Sequence, residues 1–129
     1  MDNDRLELVI KKYFDSQNGS QELYLNKCAD YAWALNQFLG NKGKFFLVGA
    51  LGPNWKASHV VLGYNNEYFD ARGRYHNQQE VNQNTPVAVF NNKIDEAGQE
   101  EIEHIMRLLH PDFVSRVVAG LKKAERELR

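Results

Sequence analysis

Residues 57 to 71 constrain the fold more than any other stretch of the chain. Ala57-Ser58-His59-Val60-Val61-Leu62-Gly63-Tyr64 and Glu67-Tyr68-Phe69-Asp70-Ala71 are two runs rich in β-branched and aromatic side chains, separated by Asn65-Asn66. Asparagine tolerates positive φ, which a tight two-residue hairpin turn requires, so the segment reads as a β-hairpin. A turn at that point fixes the register: Gly63 faces Tyr68, Val61 faces Asp70, and His59 faces Arg72. Side chains alternate between faces, so His59 and Asp70 emerge on one face as diagonal neighbours, within reach of an imidazole–carboxylate contact. Val60, Leu62, Phe69 and Ala71 take the other face and are expected to pack on a core. A slip of one residue would send His59 and Asp70 to opposite faces.

The flanking segments supply what such a hairpin needs to bury that face. Leu6, Val9, Ile10, Tyr13 and Phe14 recur at helical spacing over residues 4 to 15, with Asp2, Asn3 or Asp4 as cap, and Ser16-Gln17-Asn18-Gly19-Ser20 ends that helix. A second helix is predicted from Asn26, as N-cap, to Leu39. Cys28, Tyr31, Ala32, Leu35, Phe38 and Leu39 form its apolar face, and Gly40 stops it. Phe45-Phe46-Leu47-Val48, between Gly43 and Gly49, reads as a buried strand closed by a Gly52-Pro53-Asn54 turn. Residues 72 to 84 are mostly polar and read as an exposed connection, and Pro86-Val87-Ala88-Val89-Phe90 as a further strand. In the last third, Ile102, Ile105, Met106 and Leu109 share one helical face over 95 to 109. Phe113, Val114, Val117, Val118 and Leu121 share another over 112 to 128, with Pro111 separating or kinking the two. The expected fold class is α+β: a small antiparallel sheet packed against the central helix that carries the cysteine, with additional N- and C-terminal helices.

With 129 residues, 43% of them apolar and 12% aromatic, the chain supports one compact domain over residues 1 to 129 and leaves no room for a second core. Sixteen basic and 17 acidic side chains give a net charge of −1. That balance provides no field to gather nucleic-acid phosphates or an anionic membrane. The first residues lack a basic start followed by an apolar run, and no stretch reaches 18 consecutive apolar residues, so the expected compartment is the cytoplasm. Cys28 is the single cysteine. It has no partner for an internal disulfide, and the chain lacks the close cysteine pairs of a zinc ribbon, so Cys28 is either core filling or a reactive thiol.

Position argues for the thiol. If Asn26 caps the second helix, Cys28 lies in its first turn, where free backbone N–H groups and the positive end of the helix dipole favour a thiolate. Against this, Cys28 also lies on the helix's apolar face, where a cysteine is commonly buried and inert. The hairpin supplies the other components: Asp70 orients the His59 ring and favours its charged form, leaving the second ring nitrogen for the thiolate. That is the arrangement of nucleophile, base and orienting group used in acyl transfer. Taken separately, His59 reads more readily as a half-buried strand histidine bonded to a backbone group and Asp70 as a strand-end or turn carboxylate; their joint placement is what counts.

Three segments carry a family resemblance: Asn26-Lys27-Cys28-Ala29-Asp30-Tyr31-Ala32-Trp33-Ala34-Leu35, Ser58-His59-Val60-Val61-Leu62 and Tyr68-Phe69-Asp70-Ala71-Arg72-Gly73. Together they resemble the core of the papain-like and transglutaminase-like superfamily of cysteine enzymes. Members of that superfamily place a cysteine at the start of a central helix, a histidine on a following strand and an aspartate or asparagine on the next. The resemblance spans residues 24 to 73, with Cys28 and His59 separated by 31 positions and His59 and Asp70 by 11. It implies a peptidase, amidase, deamidase or transglutaminase-like enzyme acting on an amide, ester or isopeptide carbonyl of a protein or peptide, with no cofactor. Cys28 would be the nucleophile, His59 the general base and then acid, and Asp70 the orienting residue. The chain departs from many papain-like peptidases in having neither a glycine nor a tryptophan beside the cysteine, and no upstream glutamine clearly placed to donate to the oxyanion. The Cys28 N–H and the Asn26 side chain are the nearest donors, although Asn26 cannot easily both cap the helix and serve the oxyanion.

Other readings fit less of the sequence. Histidines at 59, 76, 104 and 110 raise the question of a metal, but His104 and His110 are six apart, on different sides of a helix, and no His-Glu-x-x-His run occurs. No metal is expected. Lys122, Lys123, Arg126 and Arg129, with Arg72 and Arg74, would be the basic patch of a nucleic-acid module. Glu125 and Glu127 interrupt it, and cations near a helix C-terminus ordinarily serve the dipole and solubility. The alternative that remains is a catalytically inactive relative acting as a protein-binding or inhibitor module, with the C-terminal helices as its surface. Trp33 and Trp55 read as core-edge residues, with Trp55 also a candidate for the border of a cleft.

Overall fold

The computed structural model describes residues 1–24, 27–49, 57–85, 93–105 and 110–128. The order of elements is α1 (Asn3–Ser16), a short 3-10 turn (Gln21–Leu23), α2 (Cys28–Phe38), β1 (Lys44–Gly49), β2 (Ala57–Tyr64), β3 (Glu67–Asp70), β4 (Gly73–Tyr75), α3 (Gln78–Asn84), β5 (Lys93–Ala97), α4 (Gln99–Ile105) and α5 (Pro111–Glu127). The fold is α+β, with helices packed against an antiparallel sheet in the order β4-β3-β2-β1-β5.

The central hairpin forms in the expected register. Leu62 pairs with Phe69, Gly63 with Tyr68 and Tyr64 with Glu67. Asn65 and Asn66 both take positive φ, 49° and 65°, as the turn demands. Val60, Leu62, Phe69 and Ala71 join Phe45 and Leu47 in the main core, which α1, α2 and α5 cover with Leu6, Ile10, Tyr31, Leu35, Val117 and Leu121. Val48, Val61, Tyr75 and Val81 form a second, smaller cluster that includes side chains of β1, β2, β4 and α3.

α2 is enclosed on more than one side, so Ala34 is as buried as Leu35, and Asp30 and Asn36 are buried too. Each of those polar side chains has a partner: Asn36 Oδ1 accepts from the Gly43 N–H at 2.9 Å, and Asp30 accepts from His110. Trp33 stacks on Phe45 with ring centroids 5.7 Å apart, which places it at the edge of the core.

Several expectations are corrected. The stretch 72 to 84 is not a plain connection, because it contains edge strand β4 and helix α3. Asn77 caps that helix by accepting from the Glu80 N–H at 2.9 Å, and Val81 is its buried residue. Residues 93 to 97 form β5 on the free edge of β1, so the helix expected from 95 begins at Gln99. Of the two roles expected of Pro111, separating the helices or kinking them, the structure shows the first: Pro111 opens α5 near its first position, where its missing N–H costs nothing. α2 starts at Cys28 with Lys27 in the cap position and no side-chain cap. Asn26, expected as the cap, lies outside the described residues, as do Trp55, the Gly52-Pro53-Asn54 turn, the Pro86–Phe90 run, and Met106 and Leu109 of the apolar stripe.

Candidate active site

Three elements converge on the site. Cys28 is the first residue of α2, His59 lies near the start of β2, and Asp70 ends β3. His59 pairs with Val48 across β1. Immediately beyond that pair the register shifts, so that Gly49 meets Ala57 and Ser58 is passed over. A bulge of this kind turns the local strand and re-aims the adjacent side chain.

His59 and Asp70 are both buried, and His59 Nε2 lies 3.0 Å from Asp70 Oδ2. The second ring nitrogen, Nδ1, is buried and, among the described residues, has no hydrogen-bond partner of regular geometry. Cys28 nonetheless acts on the same ring. Burial, the largest single influence on His59, opposes its charge, but hydrogen bonding and charge from Asp70 and Cys28 outweigh it and push the imidazole up to about 9. At neutral pH the ring is therefore an imidazolium, stabilised by the Asp70 carboxylate and by the Cys28 side chain. Cys28 itself is partly exposed.

Asp70 has partners on both oxygens. Oδ1 accepts from the Arg72 backbone N–H at 2.8 Å, and Oδ2 from the Arg72 guanidinium at 3.2 Å as well as from His59. The Tyr75 hydroxyl lies 3.1 Å from Oδ1 and 3.0 Å from Oδ2. Burial is again the largest influence and favours the neutral acid, yet His59 and Arg72 together hold the carboxyl below its ordinary range. Arg72 reaches further, donating to the Asn84 carbonyl and standing 4.8 Å from the centroid of the Tyr24 ring. Tyr31, inside α2, is fully buried, and among the described residues its hydroxyl has no hydrogen-bond partner. Burial first and the nearby Asp70 charge second raise its pKa well above the ordinary value.

All three residues expected from the sequence are thus brought together, while Asn26, the expected oxyanion donor, lies outside the described residues. Sequence reasoning missed two partners of Asp70. In the sequence Arg72 reads as the residue facing His59 and as a member of a basic patch, not as a partner of Asp70, and Tyr75 falls within the polar connection. The missing signal was strand β4, which pairs Tyr75 with Tyr68 and Gly73 with Asp70, and so sets the tyrosine beside the carboxylate.

A groove of about 360 Å³ opens next to the residue that precedes Cys28, lined by Glu22, Lys27, His110, Phe113 and Arg116 among others. A larger hollow, about 410 Å³, lies at the far end of the hairpin around Asn65 and Asn66, away from the His59 end of β2. Among the described residues, no three or more His, Cys, Asp or Glu side chains gather where a metal ion could be held, and no helix is long and apolar enough to cross a membrane. The chain matched no protein-family model, no curated protein and no solved structure.

Proposed function

We propose that this chain is a cysteine-dependent hydrolase or acyltransferase of the papain-like and transglutaminase-like kind, acting on an amide, ester or isopeptide carbonyl of a protein or peptide. The observation that carries the reading is the buried His59–Asp70 pair at 3.0 Å whose ring also responds to Cys28, the first residue of a helix. Buried imidazole–carboxylate pairs are costly to desolvate. One that also adjoins a partly exposed thiol at a helix N-terminus has the components of a nucleophilic site.

The chemistry follows from those positions. The Cys28 thiolate attacks the carbonyl carbon, forming a C–S bond while the carbonyl electron pair moves to oxygen. As the first helical residue, Cys28 has a backbone N–H outside the helix's own hydrogen-bond ladder, the kind of donor that oxyanion requires. The His59 imidazolium gives its proton to the leaving amine or alcohol as the C–N or C–O bond breaks, leaving a thioester. Water or an amine then attacks the thioester while His59 takes the proton, and the thiolate departs. Asp70 stays ionised throughout and holds the ring.

The test is the rate of Cys28 alkylation by iodoacetamide against pH, in the wild type and in a folded His59→Ala variant, followed by an amide and ester substrate screen. The reading expects alkylation well below pH 8 that depends on His59, and turnover reduced by roughly 10² to 10⁴ in the variant. A second reading, an inactive relative serving as a protein-binding or inhibitor module, draws on the fact that Cys28 is packed against the main core. It expects a thiol inert until the protein unfolds, and that result would sink the enzyme reading.

A further inference from the structure

We propose that Tyr75 is a positioning residue for this site: its hydroxyl bridges the two oxygens of Asp70 and keeps that carboxylate ionised and aimed at His59. The inference rests on the thiol-enzyme reading for its catalytic consequence, while its structural content stands on the geometry alone.

Asp70 is buried, and a carboxylate removed from water needs donors to remain charged. Its donors besides His59 come from Arg72 and Tyr75. The two differ in kind. Arg72 brings a full positive charge, but its guanidinium is shared with the Asn84 carbonyl and the Tyr24 ring, and its side chain is partly exposed. Tyr75 is neutral and buried; its hydroxyl donates to Asp70 and also meets the Arg72 side chain, which can only donate to it.

A phenol in this place remains a donor at any pH at which the enzyme could work. Burial first and the Asp70 charge second push its ionisation well above the ordinary range, whereas Arg72 pulls it down and is outweighed. The hydroxyl spans both oxygens almost equally, so rotation of the carboxylate away from His59 would lengthen one of two bonds that are now balanced. The backbone reinforces this. Tyr75 pairs with Tyr68 on β3, two residues before Asp70, so the phenol and the carboxylate are carried by adjacent strands of one sheet.

The charged and titratable groups around Asp70 are His59, Arg72, Tyr75, Tyr31 and, through His59, Cys28. Removing the Tyr75 hydroxyl alone leaves a buried carboxylate with one donor fewer. The expected consequence is that Asp70 binds its proton about tenfold more tightly, an upward move of about one pH unit. The bond to His59 then fails at a higher pH than in the wild type.

The experiment follows the Asp70 carboxyl by ¹³C NMR across an acid titration in the wild type and in Tyr75→Phe, with thermal melting and the pH profile of Cys28 alkylation on the same samples. The proposal expects the Asp70 midpoint to rise by about one unit, with the acid limb of the alkylation profile rising with it. An Asp70 midpoint that stays put in a folded Tyr75→Phe would overturn it. If Tyr75→Phe does not fold, Asp70→Asn supplies the reciprocal measurement. The Tyr75 phenol, read by ¹³C NMR at its Cζ, should then fall back toward the ordinary tyrosine value, and an unmoved phenol overturns the proposal. An Asp70 shift as expected, in a protein whose alkylation ignores His59, upholds the tyrosine–aspartate coupling and sinks the thiol-enzyme reading instead.

Discussion

Strand β3 carries a histidine–carboxylate pair at each end, and the two differ in almost everything except the residue types. Asp70, its last residue, meets His59 in the interior, while Glu67, its first, meets His76 on the surface. Both carboxyls are held below their ordinary range, but for different reasons. For Glu67 the first cause is a hydrogen bond from the Asn3 side chain at 2.7 Å, joined by His76 and by the nearby Arg74. For Asp70 the first influence is burial, which acts the other way and is overcome by His59 and Arg72. The comparison teaches that a charge pair acquires consequence from what replaces water around it. At Glu67 solvent takes over any lost contact, and at Asp70 nothing does.

The largest expected effect therefore comes from breaking the interior pair. Asp70→Ala strands an imidazole and a phenol in the interior and removes a partner of the Arg72 side chain and backbone N–H, and we predict a loss of about 3 to 5 kcal/mol by urea denaturation. A loss under about 1 kcal/mol would mean that water reaches the site and that the contrast with Glu67 is false.

Next comes the response to pH. His59 is raised to about 9 in the folded chain against 6.5 for an ordinary histidine. Its contribution to stability is thus fully present below about 6.5 and is lost as pH rises through about 9, because in between the folded state holds a proton that the unfolded state has released. Asp70 is lowered below 3.8, so its contribution is present above that value and is lost as pH falls through its folded pKa. Stability measured against pH should show a plateau from about 4 to 6.5 with a decline on either side. In His59→Gln the alkaline decline should shrink.

How much of this was legible in the sequence divides along the same line. The hairpin was legible because turn chemistry and two-residue periodicity agree: Asn65 and Asn66 allow only a narrow set of turns, and the apolar set Val60, Leu62, Phe69 and Ala71 has one face to occupy. Cys28, His59 and Asp70 came with it, since their meeting depends on that register. β4 and α3 were not legible because they bury so little: Gly73 and Tyr75 in the strand and Val81 in the helix, among otherwise polar residues. β5 was hidden by its charges. Lys93, Asp95 and Glu96 are what an edge strand carries against unwanted pairing, and they disguise it as surface. Local pattern says nothing of Asp30 either, because an acid in a helix's first turn reads as a dipole partner, and its contact His110 is 80 residues away.

That contact supplies an intermediate case. Asp30 is buried, while the His110 ring that it meets at 3.2 Å is half-exposed, and Asp30 Oδ1 also accepts from the His110 N–H at the start of α5. Water can reach one side of this pair and not the other. Asp30→Ala removes the acceptor of that backbone N–H, and we predict a loss of about 1 to 2 kcal/mol in the same denaturation experiment. A loss equal to that of Asp70→Ala would show that tying α5 to α2 matters more than burial of the charge.

The smallest effect belongs to the surface pair and is the most informative null in the series. Glu67 belongs to a group of Asn3, Asp4, Glu7, Arg74 and His76 that joins α1 to the β3–β4 edge, with Arg74 reaching Asp4 at 2.7 Å and Glu7 at 3.4 Å. Glu67→Gln keeps the shape and the oxygen that Asn3 uses while removing the charge. Exposed pairs ordinarily contribute about 0 to 1 kcal/mol, and salt reduces that further. We predict a change within about 0.5 kcal/mol at low salt that vanishes near 1 M salt, with Asp70→Ala far less affected by the same salt because Asp70 and His59 are buried. If Glu67→Gln instead cost as much as Asp30→Ala at every salt concentration, the group around Arg74 would have to be acting as a unit rather than as separate solvated pairs. A double-mutant cycle between Glu67 and Arg74 would measure that coupling directly.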